Sequence, residues 1–299
     1  MHRSVTLILC GVGLLCLTSA PLGYAADAPT APPLSLIVMD PLAAPLSCPC
    51  VEGYAQRRYE VLAELLQQEL NRKVQLTFSE SLATALKKTR GRADLVIGKD
   101  SVVRADAKTA GVNVLPLGQL TDKQGSTEQH GLIVVNRTDP ATEVQHLKDY
   151  TIIFGPAIAD EKHAAALTLL RDAGVTIPAK LTIDDACSDG ACKVIDLGPT
   201  SRTAAVISSY AQPLLEGCGT IRKGDLRVVA RTAPVPFITA FASAELDAAE
   251  RDSVQAALLS VSLRPDVLEA LESLVGFLPP DKANTTVVPV ADAAVAKKK

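Results

Sequence analysis

The chain alternates between short apolar runs and stretches in which apolar residues recur every three or four positions. Residues 34–39 (LSLIVM), 74–78 (VQLTF) and 94–97 (DLVI) have strand length. Between the first two, Ala55, Tyr59, Leu62, Leu65, Leu66 and Leu70 fall at helical spacing. Ser79 or Ser81 is placed to cap a second helix that stops near Arg90-Gly91. The pattern restarts with strands at 131–135 (GLIVV), 149–154 (DYTIIF) and 204–207 (AAVI), and a helix over about 160–173. Strand character returns at 227–230 and 236–242, followed by amphipathic helices around 245–261 and 264–276. Strands alternating with helices predict βαβ units in an α/β fold.

Two similar halves joined near 126 and 228 predict one lobe inserted into another. Residues 34–125 and 228–279 would build the first lobe and 126–227 the second. The segment 26–33 (ADAPTAPP) reads as a linker, and 280–299 reads as a disordered tail without period.

The first residues change the picture by setting the compartment. Arg3, the uncharged apolar stretch Val5 to Leu17, and small residues up to Ala25 read as a signal peptide over 1–25. An exported, periplasmic protein is expected, without membrane insertion after processing. Neither Cys10 nor Cys16 follows a small residue, which argues against lipidation. Aromatic content of 3%, no Trp and a net charge of -3 without basic clusters argue against nucleic acid as a partner. Five cysteines remain after cleavage: Cys48, Cys50, Cys187, Cys192 and Cys218. In an oxidising compartment most should pair, and an odd number leaves one over.

The ordered set of 59–74 (YEVLAELLQQELNRKV), 92–99 (RADLVIGK), 131–155 ending HLKDYTIIFG, 169–175 (LLRDAGV) and 226–241 (LRVVARTAPVPFITAF) resembles the phosphate/phosphonate-type substrate-binding proteins of ABC transporters. The resemblance covers most of residues 34–275. It implies the type 2 periplasmic binding protein fold, with two lobes of mixed, mainly parallel sheet flanked by helices. It also implies a two-strand hinge, a cleft that closes on one small molecule, and an ABC permease as partner. The anion-binding signature of that family is a Ser/Thr-Gly-rich turn opening the first helix of the second lobe. Here the turn is Gly155-Pro156-Ala157-Ile158-Ala159-Asp160-Glu161-Lys162-His163, with neither Ser nor Thr. Asp160 reads as the cap of that helix.

In such lobes ligands sit at strand carboxyl ends and helix amino termini. That rule gives Cys48, Cys50, Tyr54, Arg57, Lys99, Ser101, His163, Ser208, Ser209 and Tyr210 as candidate ligand-binding residues. A guanidinium such as that of Arg57 suits an oxyanion bidentately, though residues 57–58 also suit the polar face of a helix. Cys48 and Cys50 are too close for an easy mutual disulfide. In an extended segment their sulfurs share one side, which suits a soft metal or two separate disulfides. Cys187 and Cys192 are disulfide candidates through an Asp189-Gly190 turn.

No Gly-x-Ser-x-Gly, His-Glu-x-x-His, phosphate loop or dinucleotide fingerprint occurs, so no catalytic residue, cofactor or metal site is assigned. The expected function is an exported, monomeric solute-binding protein for a small polar or anionic ligand. The alternative is an accessory protein of an exported redox enzyme or metal pathway, with the cysteines near the cleft as its working part.

Overall fold

The computed structural model describes residues 31–48, 51–52 and 55–280. The expected signal peptide, most of the expected 26–33 linker and nearly all of the expected 280–299 tail lie outside them. The chain runs β1 (Leu34–Met39), α1 (Tyr59–Glu69), β2 (Val74–Phe78), α2 (Leu82–Lys88), β3 (Leu95–Lys99), α3 (Asp100–Ala110) and β4 (Val114–Leu120). It continues with β5 (Glu128–Gln129), β6 (Gly131–Asn136), β7 (Thr151–Phe154), α4 (Ala164–Asp172), β8 (Thr182–Ile183) and α5 (Cys187–Leu197). Then come β9 (Thr203–Ser208), α6 (Ala211–Gly217), β10 (Leu226–Arg231), β11 (Val235–Pro236), β12 (Ile238–Ser243), α7 (Ala248–Leu259), α8 (Pro265–Ala270) and β13 (Phe277–Leu278).

These strands form a six-stranded sheet, β13-β4-β12-β3-β1-β2, and a five-stranded sheet, β10-β6-β9-β7-β8. The inner strands of each sheet are buried on both faces, which is why they read as continuous apolar runs, while the edge strands β2, β8 and β10 are partly exposed. In the first sheet Leu34, Leu36 and Val38 pack with α1, α7 and α8, while Ile37 and Met39 pack with α2 and α3. In the second, Ile133 and Val135 face α4, whereas Leu132 and Val134 face α5. The period of two sends neighbouring residues to opposite cores. Each fully buried Leu or Ile contributes about 1.5–3 kcal/mol.

Both sheets are mixed. The mainly parallel character expected from the βαβ pattern is confined to β2-β1-β3 and to β8-β7-β9. The returning strand β12 runs antiparallel to β3 and β4, and β6 runs antiparallel to β9 and β10. Because β10 pairs in the second sheet, the chain re-enters the first through residues 232–237, slightly later than position 228. The outward crossing, 121–130, and this return pair with each other as the two-stranded ribbon β5-β11. The two lobes are thus joined by two adjacent strands.

Several boundaries differ from the periodicity for physical reasons. α1 starts at Tyr59 rather than Ala55, because Arg57 forms an extended bridge with Ala43. β4 has no clear strand signature in sequence, since Pro116 and Gly118 read as breakers. It is tolerated because the register with β12 skips a residue there, between Ala240 and Phe241. Ser81 caps α2 by accepting from the Thr84 N–H, as expected. Asp160 does not cap α4: the helix opens at Ala164 with His163 at the cap and no side-chain bond.

Candidate functional site

The carboxyl ends of β1, β3, β7 and β9 meet between the lobes, and the turn 155–163 crosses from the second lobe toward the first. That turn folds tightly on itself. The Gly155 N–H donates to the Lys162 carbonyl at 3.2 Å, and the Lys162 and His163 N–H groups both donate to the Ala159 carbonyl. A Cβ on Gly155 would lie 2.5 Å from the Lys162 Cβ, so glycine there is what lets the lysine stem pack against β7. Gly131 is equally constrained, because a Cβ would come within 2.0 Å of the Glu161 carbonyl oxygen. The backbone donors that the family's turn would offer to an anion are therefore largely used within this turn.

Glu161 is fully buried where the lobes touch. Its carboxylate receives the Lys99 ammonium from the end of β3, forming an ion pair between the lobes. The Ser208 hydroxyl donates to the same oxygen at 2.5 Å, and the Gln129 amide reaches the other at 3.4 Å. A second link joins the lobes through Ser101, whose hydroxyl donates to the Ile158 carbonyl at 2.8 Å and accepts from the Asp160 N–H at 3.3 Å. Asp160 has its carboxyl pushed up, first by burial and then by the neighbouring Glu161 and Asp100 charges.

Lys162 is 5% exposed and its ammonium donates to the Asp185 carbonyl at 2.9 Å. No carboxylate among the described residues pairs with it. It borders two cavities of about 260 Å3 each, which share Pro41, Lys162, Asp185 and Tyr210. Tyr210 closes the cleft floor, stacked on Phe237 at 4.8 Å between centroids. Burial, followed by the nearby Cys187, Glu161 and Asp40, raises its phenol well above the ordinary range, so it remains a neutral donor.

The structure sorts the sequence-derived candidates. Lys99, Ser101, Ser208 and Tyr210 come together at the lobe junction. Ser209 binds the crossover segment instead, accepting from the His130 N–H at 3.1 Å. His163 braces its own turn through Nδ1 and the Gly155 carbonyl, 2.9 Å apart, with its ring edge-on to Phe154. Arg57 is 2% exposed and already matched: it donates to Asp40 Oδ2 at 2.9 Å and to the Leu271 carbonyl at 3.1 Å. Tyr59 donates to the same Asp40 oxygen at 2.5 Å. Burial works against the Arg57 charge, but Asp40 outweighs it and the net shift is upward. Cys50 and Tyr54 lie outside the described residues.

The cysteine expectations need correction. Cys187 and Cys192 are both free. They lie five residues apart on α5, where side chains diverge around the axis. Helix replaces the expected turn because Gly190 lets α5 approach β9, the Ala205 Cβ lying 3.2 Å from where its own would be. Cys48 is disulfide-bonded, with none of Cys187, Cys192 or Cys218 as its partner. Among the described residues no group of three His, Cys, Asp or Glu side chains could hold a metal ion.

Sequence reasoning missed Glu161 as an ion-pair partner, and it missed Lys162, Gln129 and Asp185 altogether. Lys162 carried one usable signal, a cation inside the turn where the family places Ser or Thr. A larger cavity of about 470 Å3 lies at the opposite end of the first sheet, between residues 91–94, 111–113 and 243–246. It is at the wrong end of the parallel strands for the carboxyl-end rule.

The sequence profile described as "ABC transporter, phosphonate, periplasmic substrate-binding protein" matches residues 53–285. No curated protein matches the chain. Among solved structures, a Xanthomonas citri protein bound to chloride ion is similar at 18% identity and a TM-score of 0.62, over 84% of this chain and 92% of that one. A binding protein component of an ABC phosphonate transporter from Pseudomonas aeruginosa is 12% identical with a TM-score of 0.62, covering 85% of this chain and 83% of its own. PhnD1 from Prochlorococcus marinus, in complex with methylphosphonate, is 14% identical with a TM-score of 0.60, over 85% of this chain and 94% of that chain. At these identities the likeness shows the two-lobed fold. The accessory redox or metal reading draws no support from these matches, and among the described residues no helix is long and apolar enough to cross a membrane.

Proposed function

The chain belongs to the family of periplasmic substrate-binding proteins of phosphonate ABC transporters, and from that premise we propose that it captures a small anionic ligand through Lys162. The carrying observation is a buried ammonium with a carbonyl partner and, among the described residues, no counter-charge, set between two cavities at the lobe junction. A buried cation without a counterion is unfavourable, and an anionic ligand supplies the missing charge. Lys162 then does the work for which the family uses its Ser/Thr turn. Lys99, Ser101, Ser208 and Tyr210 support the cleft, with Lys99 already committed to Glu161.

In this reading the protein is exported by its leader and acts as a monomer without catalysis. It closes its two lobes about the β5-β11 ribbon, with β10 kept in the second lobe, and delivers the ligand to an ABC permease. Calorimetric titration with inorganic phosphate and methylphosphonate tests it, combined with small-angle scattering. Saturable binding with a smaller radius of gyration is expected, and Lys162→Met should weaken it at least tenfold. Absence of binding by either anion, or equal affinity in the Lys162→Met variant, would overturn the proposal.

A further inference from the structure

Glu161 sits in a seat built for an oxyanion. Its side chain is fully buried, and its carboxylate draws donors from three separate elements. Lys99 comes from the end of β3, the Ser208 hydroxyl from the end of β9 at 2.5 Å, and the Gln129 amide from β5 at 3.4 Å. An ammonium, a hydroxyl and an amide N–H are donor types that recognise carboxylates and phosphates alike. The backbone behind Glu161 is fixed as well, through its carbonyl's close approach to Gly131. Lys99 and Lys162 also border one cavity, whose carboxylate-bearing wall residues, Glu80 and Asp185, are exposed.

From this arrangement we propose that Glu161 is a tethered competitor for the ligand, which holds Lys99 until an anion displaces it and so sets the anion selectivity of the cleft. This rests on anion capture by Lys162 and adds a second cation to the same site. Lys99 belongs to the first lobe and Glu161 to the second, so lobe opening separates them while Ser208 stays with Glu161. An entering anion must then hold Lys99 against a carboxylate that returns on every closure. A tethered group competes at an effective concentration on the order of millimolar. A monocarboxylate offers Lys99 only what Glu161 already offers, and it is rejected. A dianion such as phosphate engages Lys162 and Lys99 together, and the second contact offsets the displacement of Glu161. Selectivity then comes from a group that disfavours the wrong ligand as much as from the cations that attract the right one.

The test is calorimetric titration with inorganic phosphate and with acetate of the wild type, Glu161→Gln and the double variant Lys99→Met/Glu161→Gln. Wild type should bind phosphate and show no saturable acetate binding at concentrations on the order of millimolar. Glu161→Gln, which keeps the side-chain volume, should tighten phosphate by about tenfold or more and bring acetate into the measurable range. The double variant should lose both gains. It also removes the ammonium that Glu161→Gln leaves without a carboxylate, so a folded protein remains to be measured if the single variant is unstable. Unchanged phosphate affinity in Glu161→Gln, a gain that persists without Lys99, or acetate binding to wild type as tight as phosphate would overturn the competitor role. Anion capture by Lys162 would still stand if Lys162→Met weakened phosphate binding. A gain in Glu161→Gln that requires Lys99, with Lys162→Met as tight as wild type, would instead remove Lys162 and keep the competitor. Failure of every form to bind either anion would remove both.

Discussion

Three cations lie buried near the cleft, and they differ in who neutralises them. Arg57 is held within its own lobe by the Leu271 carbonyl and by Asp40, which Tyr59 also binds, beneath the ring of Phe237. Lys162 is buried almost as deeply but has a single carbonyl partner. Between them stands Lys99, neutralised by Glu161 of the opposite lobe. Burial alone therefore does not tell a structural cation from a binding one. The location of the counter-charge separates them: the same lobe for Arg57, the opposite lobe for Lys99, and none among the described residues for Lys162, the proposed ligand cation.

The largest effect should come from breaking the matched pair. Arg57→Met leaves Asp40 buried without its partner and should cost about 3–5 kcal/mol in denaturant unfolding. Anion affinity, measured on the fraction that folds, should be nearly unchanged. If Arg57→Met instead abolished binding at wild-type stability, the contrast with Lys162 would collapse.

Glu161→Gln attacks the pair between the lobes. It should cost about 2–3 kcal/mol, the usual worth of a hydrogen bond to a charged group, and give a larger radius of gyration in ligand-free scattering. It should also tighten anion binding, because Lys99 and Lys162 would then both lack a carboxylate. Weaker anion binding in this variant would mean that Glu161 serves the ligand rather than the closure.

Lys162→Met should lower anion affinity by roughly ten- to a hundredfold, or about 1.5–3 kcal/mol. Its unfolding midpoint should stay equal or rise, since a buried uncompensated charge is removed. That opposite response to the two cation-to-methionine changes is the sharpest form of the comparison.

The smallest effect concerns Asp160. Its carboxyl is raised in the folded protein, chiefly by burial. The folded state then holds the proton more tightly, and ionisation opposes folding as pH rises past the ordinary carboxylate value. Asp160→Asn should therefore stabilise by about 0.5 kcal/mol at neutral pH, allowing for solvent screening. It should give no gain well below pH 3.8, where both states are protonated. A gain that persisted in acid would exclude this cause.

Much of the architecture was legible because strands buried on both faces must be apolar throughout. Residues 34–39, 131–135 and 204–207 announced β1, β6 and β9 in that way. The strand-end rule named Lys99, Ser208 and Tyr210, which the fold places at the lobe junction. β4 was hidden by Pro116 and Gly118, whose tolerance depends on a register skip against a strand more than a hundred residues later. The Cys187–Cys192 pairing failed because Gly190 reads as a turn in isolation and as a close helix-sheet contact in the fold.

The sequence by itself determined the strand-helix alternation of the strongly periodic stretches and the family, since these depend on local period and ordered motifs. Only the tertiary structure decided which charges are spent. Lys99 meets Glu161 across 62 residues and Arg57 meets Asp40 across 17. That the Lys162 ammonium meets a carbonyl and, among the described residues, no carboxylate is visible only once its neighbours are in place. Pairing is a property of distance in space, and periodicity along the chain carries no record of it.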